Sequence, residues 1–283
     1  MWLQSNPEVL TKFLVDMGMS DEWAVVDVLG FEDELLEMLP QPVVSLILLY
    51  DVNKVQQTAD QWGDDKVPDG LFYVKQTIQN ACGTIALLHA MGNNQDTIPI
   101  KPGSLMDKYF KDVKGMSPEE AGKLLEGNDD LASSHESSAQ EGQTAAPDLS
   151  TDVFYHFMAL VHKDGKLYEL DGRKRGPVDH GATSSDSFVR DASKVCRSFM
   201  DKNPNCLDFT AVVLAKLSWY SFYILVLYFT TCLTKTAKQS MSFAISIIPV
   251  KDDLKNYWTN TWIKVNWDKT QLESPSSPAP PTS

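Results

Sequence analysis

Lys75-Gln76-Thr77-Ile78-Gln79-Asn80-Ala81-Cys82-Gly83-Thr84 places a thiol at the start of a helix expected over residues 80–91. Asn80 is expected to open that helix. Ile85, Leu88 and His89 would share its apolar face, with Ala81, Ala86 and Ala90 as small packing positions. Backbone N–H groups and the dipole at a helix start favour thiolate over thiol. Gly83 leaves room for a substrate to approach. An inert buried thiol is the competing reading of Cys82 taken alone.

Two further stretches complete a possible catalytic set. Val153-Phe154-Tyr155-His156-Phe157 begins an alternating run that reads as a strand through His162, and Asp164-Gly165 marks a tight hairpin turn. The return strand, residues 166–170, ends at Asp171 in Leu167-Tyr168-Glu169-Leu170-Asp171-Gly172-Arg173. The hairpin brings Asp171 within plausible reach of the His156 ring. A thiol needs a base, the base needs an orienter, and a tetrahedral oxygen needs a donor. Cys82, His156 and Asp171 fit the first three roles, and Gln76 fits the fourth, with Gln79 as its competitor. A packed structural histidine and a turn aspartate are the bland readings of His156 and Asp171. His162 sits beside the turn, where solvation is expected, and His89, His135 and His180 lack a triad-like neighbour in the sequence.

The order Cys, His, Asp is that of papain-like hydrolases. At these residues the chain resembles the ubiquitin C-terminal hydrolase family of cysteine deubiquitinases, and in particular its short single-domain members. The resemblance extends over roughly residues 2–217. It includes Asn6-Pro7-Glu8-Val9, Met116-Ser117-Pro118-Glu119-Glu120, Glu141-Gly142-Gln143-Thr144 and Ala159-Leu160-Val161-His162. It implies hydrolysis at the ubiquitin C-terminal glycine, with Cys82 as nucleophile, His156 as general base and proton donor, Asp171 as orienter and Gln76 as oxyanion donor. It also implies ubiquitin, or a ubiquitin-like modifier, as partner. A crossover loop over 127–152 would straddle the cleft, and the fold would be knotted. Asp27 matches an acidic cleft position suited to an arginine of the ubiquitin tail, and Trp2 lies in the N-terminal segment that the family uses for binding. No metal and no cofactor is required. A ubiquitin-binding or ubiquitin-stabilising protein with little turnover is the rival.

The remaining signals bound the reading. A net charge of −13 over 283 residues argues against nucleic-acid binding and for a basic partner. A hydrophobic content of 43% suits a sizeable core. Four cysteines without a CxxC pair suggest neither zinc nor a disulfide framework, and the first residues lack the pattern of a signal peptide. A cytoplasmic monomer, with the nucleus as a further location, is therefore expected.

The elements expected are a helix after Asn6-Pro7-Glu8, a strand over 24–29, a helix over 32–39 and a buried strand over 43–50. A helix opening at Ser117 follows, anchored by Leu124 and Leu125. An amphipathic helix over 185–202 and a last strand over 209–217 complete the set. Together they predict an α/β/α sandwich with a mainly antiparallel central sheet flanked by helices.

The catalytic domain is expected over 1–218, followed by an unmatched extension over 219–283. Leu217 to Leu233 carries no charge, but 17 residues fall at the lower edge for a membrane span. Its Tyr, Phe, Thr and Ile content favours strand, and the stretch from Ser274 to Pro281 reads as disordered. Read-through, a covered hydrophobic patch and a membrane anchor, the least favoured of the three, stay open for this tail.

Overall fold

The computed structural model describes residues 5–55, 63, 66–127, 154–204, 206 and 208–217. Trp2, the expected crossover loop beyond Gly127, and the 219–283 extension lie outside the described residues. Every described residue falls within one unit, Met1–Thr236.

Helix α1, Pro7–Met17, starts as its capping residues dictate: Asn6 Oδ1 accepts from the Glu8 N–H at 2.9 Å and Pro7 occupies the first turn. Val9, Leu10, Phe13, Leu14 and Met17 are buried, the stripe expected of a helix laid on a sheet.

The sheet has six strands: β1, Trp23–Asp27; β2, Val43–Asp51; β3, Tyr155–Lys163; β4, Lys166–Leu170; β5, Val178–Ala182; and β6, Phe209–Lys216. Their order is β1-β6-β2-β3-β4-β5, and every neighbouring pair is antiparallel. The last strand therefore inserts between the first two. The period of two in β2 divides the core: Ile47 and Leu49 pack on one face, Leu46, Leu48 and Tyr50 on the other.

Helices cover both faces. Against the Ile47 face pack α1, α3 (Cys82–Gly92), α4 (Leu105–Asp112) and α5 (Pro118–Glu126) through Phe13, Ile85, Tyr109 and Leu125. Against the Tyr50 face pack the single turn α2 (Asp33–Leu36) and α6 (Phe188–Asp201) through Leu36, Phe188 and Phe199. The result is an α/β/α sandwich around an antiparallel sheet, as the sequence predicts.

The differences from expectation have tertiary causes. Helix α3 has no apolar stripe, because all eleven of its residues are buried. Asn80 does not cap it: Asn80 adopts φ 59°, a left-handed turn that asparagine tolerates, and Ala81 becomes the N-cap without a side-chain hydrogen bond. Ser117 does open α5, with a capping box to Glu120. Of its two leucines only Leu125 is buried, while Leu124 is 37% exposed. Leu125 shares its buried face with Ala121 and Gly122, and Leu124 lies about 100° around the helix from it, at the edge of that face. The expected 32–39 helix closes after one turn, α4 is absent from the expected elements although Ser104 caps it, and β5 is a polar edge strand without alternation.

The β3–β4 hairpin turns through Asp164 at φ 49° and Gly165 at φ 78°, both left-handed, as a two-residue hairpin turn requires. A Cβ at Gly165 would meet nothing within 4 Å, so any penalty there is purely conformational. Gly165→Ala is expected to lower unfolding free energy by about 1–2 kcal/mol in urea titration, with no change in native spectra.

Candidate active site

His156 lies near the start of β3, opposite Tyr50 of β2, and its ring meets the Tyr50 ring edge-on at 5.8 Å between centroids. The ladder between β3 and β4 ends at the pair Ala159 and Leu170. Asp171, one residue further, turns back along β3 and accepts a hydrogen bond from His156 Nε2 at 2.7 Å. Both side chains are 2% exposed. The hairpin register alone thus delivers the carboxylate to the imidazole.

Asp171 is held by its backbone. The Arg173 N–H donates to Asp171 Oδ1 at 2.9 Å, and the Tyr73 hydroxyl donates to the Asp171 carbonyl at 2.7 Å. Gly172 must be glycine for a packing reason. A Cβ there would stand 2.8 Å from Ile85 Cγ2 and 2.9 Å from the Gln76 nitrogen. That closeness lets the Gln76 N–H donate to the Gly172 carbonyl at 2.9 Å.

Cys82 is the first residue of α3, 2% exposed, with its sulfur 4.0 Å from the Tyr155 carbonyl. Burial pushes its thiol up. Contact with His156 and its positive charge, the Phe157 backbone and the charge of Arg173 outweigh that, leaving the thiol below its ordinary value. For His156, burial disfavours the charged ring, but the Asp171 carboxylate and the Cys82 sulfur reverse this and raise it to about 9. Asp171, despite complete burial, is drawn below the ordinary carboxylate range by His156, the Arg173 N–H and Lys174. The three groups therefore favour a thiolate, an imidazolium and a carboxylate. The Cys82–His156 contact falls short of a full hydrogen bond, since His156 Nδ1 has no hydrogen-bond partner among the described residues.

Gln76 sits on the segment leading into α3. Its Nε2 donates to the Ile78 carbonyl at 3.1 Å, while its Oε1 is buried and unpartnered among the described residues. A primary amide has two N–H donors, so one remains for a ligand. Gln79, its competitor, is exposed. The segment is pinned to α3 by residues to which the sequence reading gave no such role. Asn93 Oδ1 accepts from the Phe72 N–H at 2.8 Å, and Asn93 Nδ2 donates to the Phe72 carbonyl at 2.9 Å. His89 Nε2 lies 3.1 Å from both the N–H and the carbonyl of Val74, and its ring stacks on Tyr73 at 5.1 Å. Complete burial pulls His89 down to about 4, so it holds the segment as a neutral ring.

Asp27 ends β1 on the surface, and partial burial raises its carboxyl. It makes no ion pair among the described residues. His180, contrary to the sequence reading, does have a carboxylate neighbour: its Nε2 lies 2.8 Å from Glu169 Oε2. The thiol near Glu169 is Cys196, which burial and that carboxylate push far up, so this second grouping holds no nucleophile.

The titration signs follow from these shifts. His156, at about 9 when folded against 6.5 ordinarily, stabilises the fold fully below pH 6.5, and that contribution is lost as pH rises through about 9. Asp171 acts oppositely: its contribution is present above 3.8 and is lost as pH falls through its lower folded value. Asp171→Asn is expected to move the His156 midpoint, followed by NMR, down from about 9, and to move the Cys82 thiolate absorbance midpoint up. Unmoved midpoints would contradict the electrostatic coupling.

Comparison with known proteins accords with this geometry. The family model described as "Ubiquitin carboxyl-terminal hydrolase, family 1" matches residues 1–201. A Drosophila melanogaster ubiquitin carboxyl-terminal hydrolase is 44% identical over 219 residues, covering 75% of this chain and 95% of its own. An Aplysia californica ubiquitin carboxyl-terminal hydrolase is 45% identical over 204 residues, covering 71% and 95%. The Homo sapiens isozyme L1 is 39% identical over 219 residues, covering 76% and 97%. Among solved structures, the Trichinella spiralis UCH37 catalytic domain bound to ubiquitin vinyl methyl ester superposes with a TM-score of 0.62 at 18% identity. It covers 76% of this chain and 95% of that one, a likeness of fold. With a family model spanning most of its length and relatives at these identities, the chain belongs to the ubiquitin carboxyl-terminal hydrolases of family 1.

Proposed function

We propose that this protein is a cysteine-type deubiquitinase, hydrolysing ester, thioester, amide or peptide bonds at the C-terminal glycine of ubiquitin. The observation that carries the proposal is the buried 2.7 Å bond between His156 and Asp171, beside a thiol whose ionised form is favoured. The vinyl methyl ester of ubiquitin held by the Trichinella spiralis proteins supports the choice of partner.

In this reading the Cys82 thiolate attacks the carbonyl of the terminal glycine. The spare N–H of Gln76 and the Cys82 backbone N–H receive the oxyanion. The His156 imidazolium then protonates the leaving amine or alkoxide, and an acyl-enzyme remains. His156, now neutral, takes a proton from water as that water attacks the thioester, and the thiolate is regenerated. Asp171 keeps the imidazole in the productive tautomer throughout. Neither metal nor cofactor enters the scheme.

Asp27, partly desolvated and without an ion pair among the described residues, would meet an arginine of the ubiquitin tail. Trp2 would add a contact from the N-terminal segment. The crossover loop over 127–152 would restrict leaving groups to small adducts and to short or unfolded peptides. The enzyme would act as a monomer in the cytoplasm and nucleus. A catalytic domain over 1–218 would carry all of this, and 219–283 would be an appendage to it.

One observation favours the second reading, a ubiquitin-holding protein with little turnover. His156 Nδ1 lacks a hydrogen-bond partner among the described residues, so the thiol and its base are not fully joined at rest. A resting misalignment that ligand binding corrects would produce the same picture.

Labelling with ubiquitin bearing a C-terminal electrophile, read by intact mass, separates the two. A single adduct on the full chain and none on Cys82→Ala supports the hydrolase. Binding without an adduct on either selects the holding protein. Gln76→Ala is expected to lower kcat by about 10²–10³-fold on a fluorogenic ubiquitin amide, as loss of one oxyanion donor does elsewhere.

A further inference from the structure

Two buried charges flank the Asp171 turn of the site described above. Lys174 is 0% exposed and Glu169 is 1% exposed. The Lys174 ammonium donates to Glu169 Oε1, and Glu169 Oε2 lies 2.8 Å from His180 Nε2. The ammonium also stands 6.0 Å from the centroid of the Phe199 ring on α6. Taking both ions from water carries a heavy desolvation cost, and apolar residues of similar volume commonly make as stable a core. Stability alone therefore does not account for this pair.

Its placement does. Glu169 stands two residues before Asp171 and Lys174 three residues after it, so the ion pair spans the turn that presents Asp171. Inside that span the Lys174 N–H donates to the Asp171 carbonyl at 3.0 Å. The Tyr73 hydroxyl is shared between the carbonyls of Asp171, at 2.7 Å, and Lys174, at 2.9 Å. The Lys75 ammonium donates to the Lys174 carbonyl as well. Lys75 adjoins Gln76, whose own N–H is bonded to Gly172. One fastening thus serves both the carboxylate and the segment that carries the amide donor.

We propose that Glu169 and Lys174 are positioning residues whose buried ion pair clasps the 169–174 turn and fixes the direction from which Asp171 meets His156. The inference rests on the hydrolase reading. A loosened turn would let Oδ1 drift from Nε2 and unsettle the Gln76 segment, and both groups act in the transition state, so the loss would fall on kcat. A misplacement of about 1 Å in such a site costs on the order of 10²-fold in rate.

The test compares the full chain with Glu169→Leu/Lys174→Met, which removes both charges, and with the near-isosteric Glu169→Gln. Turnover of a fluorogenic ubiquitin amide, the melting temperature and the downfield proton resonance of the His156–Asp171 bond are measured on each. The double variant is expected to hold or raise its melting temperature while kcat falls about 10²-fold at unchanged KM. The resonance should shift or broaden. Wild-type kcat and an intact resonance in the double variant would overturn the proposal. So would a lowered melting temperature with kcat unchanged per folded molecule, which marks a purely structural pair. Should the double variant fail to fold, Glu169→Gln decides: a kcat loss at unchanged KM with a shifted His156–Asp171 resonance supports the clasp, and wild-type kcat overturns it. If the wild-type chain shows no turnover, the hydrolase reading fails instead, and the resonance alone judges the clasp.

Discussion

The hydrogen bond between His156 Nε2 and Asp171 Oδ1 depends on complete removal from water, and much of the architecture serves that removal. In water such a pair would be screened and weak; at 2% exposure it raises the imidazole and lowers the carboxyl together. The sheet supplies the floor: Tyr50 of β2 lies beside His156, and Phe199 of α6 lies 5.7 Å from Tyr50, closing the layer beneath. The segment leading into α3 supplies a wall through Tyr73, whose hydroxyl reaches the Asp171 carbonyl. Charge stabilisation in this site is therefore inseparable from packing.

Helix α3 shows how the fold positions a reactive atom. A helix buried on all sides cannot slide or rotate without opening cavities against every neighbour. Its first residue is Cys82, so the thiol is held by the whole helix, and the N-cap residue, Ala81, makes no side-chain cap hydrogen bond. A conventional capping residue would have occupied those donors. Asn80 spends its tolerance for left-handed backbone on the turn instead, which leaves the helix end available to a negatively charged group.

The legible parts were those governed by neighbours in sequence. Asn6, Ser117 and Asp164-Gly165 announce their cap, capping box and turn because each motif closes within a few residues. Asp171 could be assigned to His156 because a hairpin fixes register locally. Asn80 was misleading, since the same residue type favours both a cap and a left-handed turn, and tertiary packing chose between them. His89, Asn93 and Tyr73 were invisible as scaffold: the partners Val74, Phe72, Asp171 and Lys174 lie 15 to 101 residues away. Lys174, in the run Arg173-Lys174-Arg175, carries no role in the sequence reading; only the fold reveals its carboxylate partner. The residues that bring a ubiquitin C-terminal hydrolase site together are thus readable, and those that hold it together mostly are not.

The insertion of β6 between β1 and β2 has a mechanical side. A device that threads the chain from beyond Leu217 would load β6 along its length, with ladders to β1 on one side and β2 on the other. Both ladders would have to shear together, because neither can be unzipped bond by bond from that direction. The strand neighbouring β2 on its far side carries His156, so the site would stay closed until the sheet itself ruptured. A grip at that end is a poor place from which to begin pulling this domain apart.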